Sequence, residues 1–126
     1  MEDEEWDQQS AMKKKVVEFH AEFCKTFSSP KRLEILCLLK EGELTVSDIT
    51  KKLGLSKANV SQHLNLMRMM GILKARRAGV NTYYMFANKR LAQACSLMQD
   101  ALEQLMEGSF RLKKEALVAI KGEVTR

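Results

Sequence analysis

Gly54-Leu55-Ser56-Lys57-Ala58-Asn59-Val60-Ser61-Gln62-His63-Leu64 decides the fold of this chain. A glycine closes one helix and Ser56 caps the next, in which Val60, Leu64 and Met67 recur at helical spacing and turn inward together. Lys57, Asn59, Ser61, Gln62 and Asn65 are left largely outward, so the exposed face is short, polar and basic. Around this helix the charge is one-sided: residues 49–99 hold nine Lys or Arg and no Asp or Glu. Binding a polyanion releases condensed counterions, and an acidic side chain facing phosphate would oppose every lysine beside it. The expected partner is double-stranded DNA.

Working outward, Val46, Ile49 and Leu53 share one face of a short helix that ends at Gly54, which with the helix after Ser56 makes a helix-turn-helix. Ser28-Ser29-Pro30 starts an earlier helix over residues 30–40, since serine accepts from orphan N–H groups and proline at the first position gives up no bond. Met12, Val16, Phe19, Phe23 and Phe27 predict an amphipathic helix over residues 11–27, preceded by a flexible acidic segment at residues 1–10. After Gly71 the pattern becomes β-like: Ile72-Leu73-Lys74-Ala75-Arg76-Arg77, a turn at Ala78-Gly79-Val80-Asn81, then Thr82-Tyr83-Tyr84-Met85-Phe86. This is a hairpin, or wing. Leu91, Ala94, Cys95, Met98, Leu102 and Leu105 stripe a fifth helix that is expected to end near Gly108. A basic tail follows over residues 109–126, with a further helical segment at residues 110–121. The predicted fold is mainly α with a small β-hairpin, in the order α-α-α-α-β-β-α: a winged helix-turn-helix domain over residues 11–108.

The bulk properties agree. A chain of 126 residues with 45% hydrophobic and 29% charged side chains, one Pro and six Gly suits one mostly helical domain with its own core. The net charge of +5 understates the local polarity, because Glu2, Asp3, Glu4, Glu5 and Asp7 crowd the start. That acidic start does not resemble a secretory signal, and no apolar run approaches membrane-spanning length. Three widely spaced cysteines, Cys24, Cys37 and Cys95, form neither a disulfide framework nor a zinc signature, and fit a reducing cytoplasm. Two amphipathic helices flanking a small core carry more apolar stripe than that core absorbs, which predicts a homodimer through the first and fifth helices.

Five pieces in order, Ser29-Pro30-Lys31-Arg32-Leu33-Glu34-Ile35-Leu36, Glu43-Leu44-Thr45-Val46-Ser47-Asp48-Ile49, Leu55-Ser56 through Val60-Ser61-Gln62-His63-Leu64, Gly71-Ile72-Leu73 and Tyr83-Tyr84, resemble the ArsR/SmtB family of winged-helix repressors. The resemblance covers about residues 20–106. It implies a dimer that sits on a palindromic operator and leaves when an inducer binds. A recognition helix puts its N-terminal residues against base edges in the major groove. Ser61 and Gln62 are then the expected base contacts, with Lys57, Asn59 and Asn65 beside them. Arg76, Arg77, Asn81 and Tyr83 on the wing are expected at phosphates or in the minor groove. His63 turns toward its own core and is expected to make a structural hydrogen bond.

The family's metal positions are not kept. Where soft-metal sensors carry Cys-Val-Cys or Cys-Val-Gly, this chain has Thr45-Val46-Ser47, and neutral hydroxyls do not replace thiolates. Where zinc sensors carry Asp, His, His and Glu between the fifth helices, it has Asn88, Arg90, Ala101 and Gln104. No metal and no cofactor is expected. Cys37 matches one of the two thiols of the persulfide-sensing relatives, but Glu103 stands where the second would be. Cys24 and Cys95 would approach each other only if the first and fifth helices pack across the dimer. The cysteines are therefore either core residues or sensors of redox, persulfide or arsenical chemistry.

Two other functions compete: a winged-helix module that binds protein, and a DNA-binding protein with no small-molecule sensing. The acid-free stretch and the lysine- and asparagine-rich helix face speak against the first. An enzyme is not expected, since no glycine-rich phosphate loop or Gly-x-Ser-x-Gly elbow is present and no carboxylate lies in the middle of the chain to pair with His63.

Overall fold

The computed structural model describes the backbone of residues 2–124 and the side chains of residues 7–108 and 114–122. The chain divides into two units, Met1–Asn88 and Lys89–Arg126.

The first unit runs α1 (Glu2–Thr26), α2 (Pro30–Leu39), β1 (Leu44–Thr45), α3 (Val46–Leu53), α4 (Lys57–Met69), β2 (Leu73–Ala78) and β3 (Asn81–Phe86). Its core is Ile35, Leu36 and Leu39 of α2, Ile49 of α3, Val60, Leu64 and Met67 of α4, with Ile72, Leu73 and Tyr84 closing the sheet side. The inward residues expected on α4 are thus the ones that are buried.

The helices α2, α3 and α4 each begin where a side chain can take an orphan N–H. Ser29 Oγ accepts from Arg32 N at 3.4 Å with Pro30 at the first helical position, and Ser56 Oγ accepts from Asn59 N at 3.1 Å. At α3 the cap is reciprocal: Thr45 Oγ1 accepts from Asp48 N, and Asp48 Oδ2 accepts from Thr45 N, both at 3.1 Å. The end of α4 is fixed by two crossing bonds, Ile72 N to Met67 O at 2.9 Å and Gly71 N to Arg68 O at 3.0 Å. That closure needs a left-handed residue, which Gly71 supplies at φ 81°.

The sheet is antiparallel in the order β1-β3-β2. Ala78 pairs with Asn81, leaving a two-residue turn in which Gly79 has φ 64° and Val80 does not have a positive φ. This is the type II′ pattern, whose twist matches a hairpin. β1 is a strand the sequence did not reveal: Leu44 and Thr45 lie beside Tyr84 and Tyr83, and two residues carry no alternation to read.

Two expectations are corrected. Residues 1–10 were expected to be flexible, whereas the described backbone is already helical from Glu2, where α1 starts. The fifth helix was expected to stop near Gly108 before a separate tail. Instead the described residues of the second unit form one helix, α5 (Lys89–Val124), of 36 residues. A glycine inside a helix costs about 1 kcal/mol, which a long helix absorbs. Met12, Val16, Val17 and Phe19 on α1 are exposed, as are Leu97, Met98, Leu102 and Met106 on α5.

Candidate nucleic-acid interface

At 100° per residue the buried Val60, Leu64 and Met67 set the inward direction of α4, and Ala58, Gln62, Asn65 and Met69 then run down the opposite face. Lys57, Ser61 and Arg68 form one flank, Asn59, His63 and Leu66 the other. Lys57, Asn59, Gln62 and Asn65 are exposed and Ser61 is half-buried. All five residues expected at DNA therefore lie outside the inward face of one 13-residue helix, and no carboxylate shares it.

The wing residues do not act alike. Along β2 side chains alternate, so Leu73, Ala75 and Arg77 share the face that begins in the core, while Lys74 and Arg76 share the other. Arg77 is exposed, as is Asn81 at the start of β3 beside the almost fully exposed Val80. Among the described residues no carboxylate pairs with Arg77. Arg76, by contrast, is engaged twice. Its guanidinium meets the Glu43 carboxylate in a fork, Nε donating to Oε2 at 2.8 Å and Nη2 to Oε1, and it lies 4.8 Å from the centroid of the Tyr83 ring. The hydrogen bond to Arg76 holds the Glu43 carboxyl below its ordinary range and raises the guanidinium in turn. The structure thus brings Arg76 and Tyr83 together with an acid rather than presenting them as free donors.

Arg68 and Lys74 were not among the residues expected at DNA. With Leu73, Ala75, Arg76, Arg77 and Thr82 they line an open groove of about 480 Å³ between the end of α4 and β2. Their signal was present in the acid-free run, but only the packing of β2 against α4 places these cations side by side.

His63 makes the structural bond expected of it, accepting at Nδ1 from Arg32 Nε at 3.2 Å. Burial, then the charges of Arg32 and Lys31, hold the imidazole below its ordinary value of 6.5. The cysteines fall in different surroundings: Cys24 on α1 is exposed, and Cys37 on α2 and Cys95 on α5 are half-buried. Among the described residues no three His, Cys, Asp or Glu side chains gather in a way that could hold a metal ion, and no helix is long and apolar enough to cross a membrane.

The profile of "Bacterial regulatory protein, arsR family" matches residues 29–75, which run from the cap of α2 into β2. An HTH-type transcriptional regulator of Methanocaldococcus jannaschii is 36% identical over 81 residues, 64% of this chain and 91% of that protein. The chain belongs to the arsR family. The biofilm growth-associated repressor of Xylella fastidiosa is 34% identical over 73 residues, which are 58% of this arsR-family chain and 64% of the repressor. The solution structure of a homodimeric winged helix-turn-helix DNA-binding domain from Mycobacterium bovis superposes with a TM-score of 0.72 at 29% identity, covering 76% of this chain and 89% of that one. The fold is a winged helix-turn-helix, as the sequence predicted.

Proposed function

We propose that this arsR-family protein is a homodimeric transcription regulator that binds a palindromic operator and represses by occluding a promoter. The observation that carries the reading is the side of α4 turned from the core, acid-free and carrying Lys57, Asn59, Ser61, Gln62 and Asn65, with Arg68 at its end beside the cations of β2. Ser61 and Gln62 read base edges, with Lys57, Asn59 and Asn65 beside them, and Arg77 and Asn81 hold phosphate or the minor groove. Arg76 and Tyr83 brace the wing against Glu43 on the turn before β1. The exposed apolar stripes of α1 and α5 support the dimer, as does the homodimeric state of the M. bovis relative.

The candidate sensing thiols are Cys24, Cys37 and Cys95, of which Cys24 is exposed in the single chain. Fluorescence anisotropy on the protein's own upstream DNA, with excess competitor and fixed salt, compares fully reduced protein with protein oxidised by a thiol-specific reagent. Specific binding that weakens about tenfold, a coupling of roughly 1.4 kcal/mol, assigns sensing to the thiols. Equal affinities make the cysteines packing residues and the signal something other than a thiol reagent. Binding that ignores added salt would overturn the DNA reading itself.

A further inference from the structure

Arg32 is a half-buried side chain that joins three helices. Its Nε donates to His63 Nδ1 on α4, and its Nη1 donates to the carbonyl of Thr26, the last residue of α1, each at 3.2 Å. Its own backbone N–H closes the cap of α2 on Ser29. Arginine can only donate, so Nδ1 must offer a lone pair, which fixes His63 as a neutral imidazole with its proton on Nε2. The inward contacts of α4 are apolar, made by Val60, Leu64 and Met67. Such packing is non-directional and holds the helix down without setting its rotation as sharply as a hydrogen bond does. Base readout needs side chains held to within about 0.5 Å, and Gln62 is the immediate neighbour of His63.

We propose that Arg32 is a positioning residue for DNA readout: through His63 it sets α4 in register with the corner where α1 ends and α2 begins, and protonation of His63 releases it. The inference rests on the DNA-binding reading of α4. On protonation Nδ1 becomes a donor facing a donor, and two cations meet. The charges acting on the imidazole are Arg32 and Lys31, both on α2. On α4 the residues three and four positions away, Asn59, Val60, Leu66 and Met67, do not ionise, and α1 contributes the Thr26 carbonyl, which Arg32 occupies. Among the described residues no carboxylate hydrogen-bonds to Arg32 or His63, so no acid bonded to either offsets the repulsion once the ring is charged.

The test uses the full chain, a duplex it selects from a random pool and a shuffled duplex of the same composition, with affinities read by fluorescence anisotropy at fixed salt. Arg32→Met and His63→Leu each remove one bond's partner and are expected to weaken the selected duplex roughly fivefold while leaving the shuffled one unchanged. His63→Asn, whose Oδ1 stands near the position of Nδ1, restores the selectivity. Between about pH 7.5 and about pH 5.5 the selected-to-shuffled ratio falls in the wild type and stays level in His63→Asn. In the protein without DNA, nitrogen NMR shows the Nε2–H tautomer, and the His63 pKa rises in Arg32→Met because a neighbouring cation is gone. Equal losses on both duplexes would make Arg32 a phosphate ligand and overturn the proposal. So would an Nδ1–H tautomer, or pH profiles that coincide in the wild type and His63→Asn. A wild type that selects no sequence overturns the DNA-binding reading, and this inference with it.

Discussion

Gln62 and Arg77 stand for two kinds of contact, and their variants separate them. Gln62 is exposed on the outward face of α4, and a side-chain amide can meet adenine through two bonds. Gln62→Ala should cost about 1–3 kcal/mol of discrimination between the selected and a mismatched duplex, with non-specific affinity unchanged in a competition titration. Arg77→Ala should instead reduce the slope of log K against log salt by about one, across all sequences. Glu43→Gln works in the opposite sense: it releases the Arg76 guanidinium and should raise non-specific affinity and steepen the slope. His63 adds a pH dependence. An imidazole held below 6.5 in the native state binds its proton more readily in the unfolded chain. Its contribution to stability is therefore complete above pH 6.5 and is lost as pH falls through the native value. Melting temperatures should drop between about pH 7 and about pH 5, and drop less in His63→Asn.

At the scale of the element, the cap of α3 is the place to intervene. Thr45→Ala removes the acceptor of Asp48 N and should lower stability by about 1 kcal/mol in urea titration, without touching any residue of the outward face of α4. Asp48, held below its ordinary value by its bonds with Thr45, completes the same box. How much of this was legible in the sequence follows the range of the interactions involved. Val60, Leu64 and Met67 could be assigned to the core from spacing alone, and so could the caps at Ser29 and Ser56, because helix periodicity and capping act within a few residues. The hairpin turn at Ala78-Gly79-Val80-Asn81 was equally visible, though not its type. β1 was not, since Leu44 and Thr45 become a strand only beside Tyr84 and Tyr83, some forty residues away in the chain. The same holds for the site. That Lys57, Asn59, Ser61, Gln62 and Asn65 lie off the inward face of α4 followed from helix spacing, whereas the capture of Arg76 by Glu43 and the hold of Arg32 on His63 depend on side chains more than thirty positions apart. Gly108 misled for a different reason: glycine weakens a helix without forbidding it, and α5 carries on to Val124.

At the scale of the molecule, α5 alone is about 54 Å long at 1.5 Å per residue, and its exposed apolar side chains include Leu97, Met98, Leu102, Met106, Leu117 and Ile120. In the dimer we propose, Leu102→Asp should shift sedimentation from dimer toward monomer and weaken operator binding in step, because each protomer reads only one half of a palindrome. The exposed stripes on α1 and α5 then tie the regulator to its own abundance. Where protomers are scarce relative to the dimer's dissociation constant, occupancy of an operator climbs with the square of their concentration. A modest change in how much of the chain the cell makes would thus move the operator between mostly empty and mostly filled, before any inducer arrives.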